Sequence, residues 1–156
     1  MPLPRPWRLR LARPSDLDRV EDIEHQAHPS AWPRSIFLSE LSLPWASLRV
    51  LEHPKHGVVG FLDYWLIDEE LHIMNIALLP RWRGHGLGSA LISLSVVEAV
   101  AMGAEIISLE VRETNVAALR LYERHGFRLL GRQRKYYVDT GEAALFMVKE
   151  VPNGRL

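Results

Sequence analysis

The sequence predicts one α/β (α+β) domain, a mixed and mostly antiparallel sheet holding a single parallel pair, and three observations predict it. The 156 residues fall in the roughly 100–200 expected of one domain, and no shift in composition marks a boundary, so 1–156 reads as a single unit. Three strand-like segments follow one another through short turns before Pro80, which makes them antiparallel neighbours. The connection from Leu79 to Ile106 is then long enough to cross over and return a strand in parallel.

Element by element, Arg8, Leu9, Arg10 and Leu11 alternate charged and apolar, the period of a half-buried strand over 7–13. Pro14 and Ser15 stop it. Ser15 and Asp18 have capping-box spacing, and Leu17, Val20, Ile23 and Ala27 recur at helical intervals, which predicts a helix from about Asp16 to His28. Pro33 suits the first turn of a second helix carrying Ile36, Phe37 and Leu41. Strands are predicted over 48–52 and 58–67, joined by His53-Pro54-Lys55-His56-Gly57, and over 71–79 after the turn Asp68-Glu69-Glu70. A long helix with Leu87, Leu91, Leu94, Val97 and Ala101 on one face ends at Gly103, the C′ residue. A short apolar strand over 106–111 and a helix over 115–125, stopped by Gly126, come next. Strands over 128–137 and 143–148 close the chain as a hairpin around Asp139-Thr140-Gly141. The order is β-α-α-β-β-β-α-β-α-β-β.

Composition excludes several functions. With 19 Lys+Arg against 19 Asp+Glu the chain is formally neutral, unlike a general nucleic-acid coat protein. It has no cysteine, hence no disulfide, thiolate zinc site or Cys acyl-enzyme. The first fourteen residues carry prolines and arginines in place of a signal-peptide core, and apolar runs fall short of the roughly 18 residues that span a bilayer. The expectation is a cytoplasmic protein with no membrane partner.

Gly84, Gly86 and Gly88, flanked by Arg81 and Arg83, lie between a strand and a helix. Glycine permits positive φ and close backbone approach, and amides at a helix N-terminus favour a phosphate or pyrophosphate. The neighbouring arginines add charge-assisted donors. A Walker A loop is excluded, since no Gly-Lys-Ser/Thr run exists. A dinucleotide fingerprint is excluded too, because Ser89 or Leu91 stands where its third glycine belongs. Without a ligand the loop is an ordinary glycine-rich turn.

Arg83-x-x-Gly86-x-Gly88 after a strand and opening a long helix resembles the pyrophosphate loop of the GCN5-related N-acetyltransferases, whose order of elements matches essentially the whole chain. Four segments resemble more narrowly the bacterial RimI type, which acetylates the N-terminal alanine of the eighteenth small-subunit ribosomal protein. They are residues 23–28 with Trp32; Asn75-Ile76-Ala77; Leu109-Glu110-Val111-Arg112 with Asn115; and residues 118–127, which include Leu121-Tyr122 and Gly126-Phe127. Tyr136-Tyr137 matches as well. The final turn is shorter than in that type, and Ala143 stands where it usually has Asp.

The resemblance implies acetyl-CoA as cosubstrate. The amides of Gly84, His85, Gly86, Leu87, Gly88 and Ser89, with Arg83, would hold its pyrophosphate. The backbone of Ile76, Ala77 and Leu78, with Asn115 and Tyr122, would line the pantetheine arm. It also implies Glu110 as general base, working through water, and Tyr122 as general acid toward the CoA sulfur. Read from the residues alone, Glu110 is a strand-end carboxylate that pairs with Arg112, and Tyr122 a packing aromatic.

The acceptor implied is the α-amino group of a protein N-terminus, ribosomal in the RimI type. Such an amine, near pKa 7.7–8.0, loses its proton far more readily than Lys near 10.4. Trp32, Tyr64, Tyr136 and Tyr137 would flank the peptide, with Glu24 or the turn 68–70 near its positive end. A lysine or small-molecule amine as acceptor, and a non-catalytic CoA-binding module, stay open beside this reading. No metal is expected: His25 and His28 are i, i+3 on a helix without a third ligand in view. Arg120, Arg124, Arg128, Arg132, Arg134 and Lys135 make a basic stretch, a solvated face or a contact for the CoA 3′-phosphate or RNA, although no direct nucleic-acid function is expected.

Overall fold

Seven strands form one sheet in the order β1-β2-β3-β4-β5-β7-β6. They are β1 (Arg8–Leu11), β2 (Ala46–His53), β3 (Gly57–Ile67), β4 (Glu70–Leu78), β5 (Ile106–Arg112), β6 (Arg128–Gln133) and β7 (Ala144–Glu150). Four helices join them: α1 (Leu17–Ala27), α2 (Arg34–Ser42), α3 (Leu87–Ala101) and α4 (Val116–Arg124). This computed structural model describes residues 3–152; Met1 and Pro2, at the head of the proline- and arginine-rich stretch, and residues 153–156 lie outside the described residues. The order of strands and helices is the one the sequence predicts.

Alternation along β3 sorts the two faces. Asp63 and Trp65 point toward α1 and α2: Trp65 donates its indole N–H to Glu40 of α2 at 2.7 Å, and Asn75, opposite Asp63 in the register, bonds Glu24 of α1. Leu62 and Tyr64 point the other way, toward α3, whose Glu98 lies 4.0 Å from Arg49, the partner of Leu62 in β2. Both faces are covered, so β3 reads as a nearly continuous buried run. Burial, with the Glu40 carboxylate beside it, pushes the Asp63 pKa up to about 10, so this carboxyl is neutral in the fold.

The crossover through α3 makes β4 and β5 parallel, as predicted, but only from Glu70↔Ile106 to Ile73↔Leu109. Beyond that pair they part. Asp63 faces Asn75 while Tyr64 faces Ile73, so Met74 is an extra residue, and this bulge bends β4 away from β5. Each strand keeps its outer partner: Ile76, Ala77 and Leu78 stay on β3, and Glu110, Val111 and Arg112 stay on β7. Gly60 lets the end of β4 lie close, since a Cβ there would stand 2.8 Å from the Ala77 carbonyl oxygen.

Three local expectations need correction. Ser15 does not cap α1: a 3₁₀ turn (Pro14–Asp16) precedes the helix, closed by the Asp16 carboxylate, which accepts the Arg13 N–H at 2.7 Å and two bonds from the Arg10 guanidinium at 2.8 and 2.9 Å, and α1 has no side-chain cap. Pro33 stands just before α2 rather than inside its first turn. The last hairpin is shorter than expected, because β6 ends at Gln133, its last partner being Ala144. Lys135 takes a left-handed φ of 54°, so Tyr136 and Tyr137 belong to a folded loop. That loop is closed by Tyr137 N–H to the Glu142 carbonyl and Gly141 N–H to the Tyr137 carbonyl. At the end of α3 the expectation holds: Gly103 (φ 78°) and Ala104 send their N–H groups back to Val100 and Ala99 in a Schellman closure.

Candidate active site

The gap between the parted ends of β4 and β5 opens into a cleft of about 710 Å³ that runs from the glycine loop to the α1–α2 connection. At one end Gly84 (φ 79°) and Gly86 (φ 78°) turn the chain through left-handed conformations, with open space where each Cβ would be. The first backbone bond of α3 is Ala90 N–H to the Gly86 carbonyl at 3.0 Å. The amides of Gly84, His85, Gly86, Leu87, Gly88 and Ser89 therefore have no backbone acceptor among the described residues. Six successive free donors at the positive end of a fifteen-residue helix suit a diphosphate.

The side chains there are partly committed elsewhere. Leu87 is buried in the core, the His85 ring packs 5.5 Å from Trp82, and the Ser89 hydroxyl is 2.6 Å from Nε2 of His125. Of the loop, Gly84, Gly86, Gly88 and Ser89 line the cleft. Arg83 and Arg124 line it with their side chains. Of the remaining basic stretch, Arg128 pairs with Glu150 and Arg132 with Glu113. Ile76, Ala77 and Leu78 form one wall. Asn115 forms part of the other; its Oδ1 caps α4 by accepting the Ala118 N–H at 3.2 Å, which leaves its amide donors.

Glu110 and Tyr122 face the middle of the same cleft. Tyr122 is buried, and desolvation, with Tyr137 nearby, pushes its phenol up to about 12, so it is a proton donor at any working pH. Glu110 does not pair with Arg112. Nε2 of His72 lies 2.8 Å from Glu110 Oε2, across the parallel pair where His72 stands opposite Ser108. Burial of the ring opposes its cation, but the Glu110 and Glu70 carboxylates outweigh that and hold the His72 pKa above its ordinary value.

Arg112 instead grips the loop before β7. It bonds Asp139 at 3.2 Å, Glu142 at 3.0 Å and the Thr140 hydroxyl at 3.1 Å, with its guanidinium 4.0 Å from the centre of the Tyr137 ring. This clamp brings Tyr137 into the wall of the cleft, which Trp32 of the α1–α2 connection also lines. Glu24 holds that connection: its buried carboxylate accepts the Trp32 N–H at 2.9 Å and the Asn75 amide at 3.0 and 3.1 Å.

Four of the five residues expected around a peptide thus gather at one end of the cleft. Glu24, Trp32 and Tyr137 line it, and Tyr136 packs against Tyr137 and Phe146 just behind. Tyr64 does not join them. It is 1% exposed beneath α3, on the face opposite Trp65 and Asn75, because one step along a strand reverses the side. The turn 68–70 lies outside this cleft as well. No group of three or more His, Cys, Asp or Glu fit to hold a metal occurs among the described residues, and His28 lies 3.5 Å from Glu24.

Comparison with known proteins agrees with this architecture. Residues 17–127 match the model of the acetyltransferase (GNAT) family. A Bacillus subtilis (strain 168) protein, provisionally named a ribosomal protein bS18-alanine N-acetyltransferase, is 36% identical over 140 residues, 89% of this chain and 92% of its own. The Escherichia coli (strain K12) ribosomal protein bS18-alanine N-acetyltransferase is 31% identical over 135 residues, 85% and 90% of the two chains. The crystal structure of the Escherichia coli ribosomal-protein-S18-alanine N-acetyltransferase superposes with a TM-score of 0.85, at 28% identity, over 96% of this chain and 98% of that one.

Proposed function

Because the chain belongs to the GNAT family of N-acetyltransferases, we propose that it moves acetyl from acetyl-CoA to the α-amino group of a protein N-terminus, an N-terminal alanine of a small-subunit ribosomal protein being the acceptor its relatives' names suggest. The observation that carries this reading is the convergence of the free amides of Gly84, Gly86, Gly88 and Ser89 with Glu110 and Tyr122 on one cleft between two parted parallel strands.

The amides from Gly84 to Ser89, with Arg83, hold the diphosphate of the cosubstrate. The backbone of Ile76, Ala77 and Leu78 runs beside its pantetheine arm together with the Asn115 amide, and free N–H groups of that strand polarise the carbonyl under attack. Bound acetyl-CoA supplies an activated acetyl group. With no cysteine in the chain, direct attack by the amine in a ternary complex is the economical route.

Glu110 takes the proton of the amine, through water, and Tyr122 donates one to the leaving sulfur. With ordinary phenol and thiol values that last transfer runs uphill by ~1.5 units, about 2 kcal/mol. The burial that raises Tyr122 also raises a thiolate placed against it, so the two shift together. The acceptor enters between Trp32 and the Tyr136-Tyr137 loop, and no metal takes part.

Incubation with acetyl-CoA and a peptide beginning with alanine, beside polyamines and internal-lysine peptides, tests the proposal by mass spectrometry. Acetylation of the peptide N-terminus is expected. Acetylation confined to polyamines or lysines would overturn the acceptor, and CoA binding without turnover would overturn catalysis.

A further inference from the structure

The carboxylate in the cleft has a partner that the reaction just described does not use. His72, on β4, reaches across the parallel pair to Glu110 Oε2 at 2.8 Å, while its other nitrogen, Nδ1, lies 2.6 Å from the Ser108 hydroxyl, which donates to Glu70 Oε2. Glu110 thus starts a continuous chain, Glu110–His72–Ser108–Glu70. Its far end is a second depression of about 500 Å³, lined by His72 with Trp65, Asp68, Glu69, Glu70 and Glu105. The chain leads out of the cleft to solvent on the α1/α2 face of the sheet.

We infer that His72 is a positioning residue for Glu110, holding its carboxylate toward the cleft and releasing a proton through Ser108 and Glu70 when that carboxylate collects one. The inference rests on the acetyl-transfer reading for its chemistry, though the pairing itself does not.

Donor and acceptor bookkeeping supports the role. Ser108 spends its one proton on Glu70, so its oxygen accepts from His72 Nδ1; if Glu110 is ionised, Nε2 must donate as well. The resting pair is then carboxylate and imidazolium. Oε2 is occupied, and Oε1 has no hydrogen-bond partner among the described residues. In the transfer an N–H bond of the amine breaks and an O–H bond forms at Glu110. His72 Nδ1 then releases its proton to the Ser108 oxygen as Ser108 passes its own to Glu70 and solvent, which leaves a neutral carboxyl beside a neutral imidazole still protonated at Nε2. One proton enters at Glu110 and one leaves by Glu70, so the pair's count is unchanged, and it returns to carboxylate and imidazolium when water takes the carboxyl proton and refills Nδ1.

The groups that face this ring are Glu110 and Ser108 from β5, Glu70 from β4 and Trp65 from β3, the last tied to Glu40 of α2. Asp68, Glu69 and Glu105 rim the depression. Tyr136 and Tyr137 lie beyond Glu110, and its charge contributes to their raised pKa values after burial. All the charged neighbours are carboxylates, which favour the imidazolium.

Two measurements test the pairing and the relay separately. Imidazole NMR on the full chain should show His72 titrating above an ordinary histidine, and Glu110→Gln should lower that pKa; an unchanged His72 titration would overturn the pairing whether or not the enzyme turns over. In the peptide assay, His72→Gln should lower kcat about tenfold, below the full worth of a general base, with KM for acetyl-CoA within about twofold. It should also remove the histidine inflection from the kcat–pH profile, and a profile superimposable on wild type would overturn the relay. A wild-type chain that acetylates no amine at all would defeat the acetyl-transfer reading, while the NMR titration still decides the pairing.

Discussion

The two ends of the cleft are made in different ways. At the glycine-loop end the working groups are main-chain amides, set by two left-handed glycines and the start of one helix, all within a few consecutive residues. At the other end they are side chains held by other side chains far away in sequence. Glu24 holds the Trp32 N–H and the Asn75 amide, and Arg112 holds Asp139 and Glu142, while midway along the cleft His72 holds Glu110. A backbone cradle tolerates change in nearly every side chain it contains except glycine, whereas a network of side-chain clamps can be retuned one residue at a time. The first arrangement suits a ligand that stays constant, the second an acceptor that varies.

The largest expected effect lies where the two ends meet. Glu110→Gln should lower kcat by about 10²–10⁴ and remove the acid limb of the rate–pH profile, with acetyl-CoA affinity unchanged. Tyr122→Phe should lower kcat less and likewise spare affinity; an unaltered kcat in either variant would take that residue out of the mechanism.

Next comes the backbone end. Gly86→Ala meets no steric obstacle, so its penalty is that of a left-handed alanine, about 1–2 kcal/mol. Calorimetry should show coenzyme A binding weakened by about 5–30-fold, with Gly86→Asn milder because Asn tolerates that conformation. Equal losses for Ala and Asn would mean that the loop is not held by its left-handed turn.

A smaller effect is expected at the clamp. Arg112→Met should raise KM for the peptide several-fold, leave KM for acetyl-CoA alone, and speed amide exchange in residues 134–143. A change confined to acetyl-CoA would erase the division between the two ends.

The smallest effect is on stability, beneath the acceptor end. The folded Asp63 keeps its proton up to about pH 10, whereas an unfolded aspartate releases it near 3.9. Stability should therefore fall as pH rises between those values, because the native state binds the proton that the unfolded state has lost. Asp63→Asn removes that slope and should melt higher than wild type at pH 8, with the gap closing toward pH 5. Parallel melting curves across that range would show Asp63 to be ionised in the fold.

This division also explains what could be read in advance. The element order, the parallel crossover, the Gly103 closure and the loop from Gly84 to Ser89 all follow from local signals: alternation, helical spacing, glycine placement. The errors are tertiary. Tyr64 was expected beside the acceptor because aromatic residues near a site invite that reading, but the side it faces follows from the bulge and register of its strand. Arg112 could reach Glu110 by simple alternation, yet it meets three partners on a loop from 27 to 30 residues away. His72 gave no signal at all, since its meaning depends on standing opposite Ser108 in a parallel pairing.

The chain by itself determined its glycine cradle, its sequence of strands and helices, and the presence of a carboxylate and a phenol in the segments that frame the cleft, since these depend on residues within a turn or two of one another. Only the tertiary structure decided that Met74 would bulge, that β4 and β5 would part after Ile73 and Leu109, and which side chains would hold Glu110, Trp32 and Tyr137 in place. Those outcomes depend on pairing between distant strands. Their free energies are settled by packing and charge between segments that have no relation along the chain until it has folded.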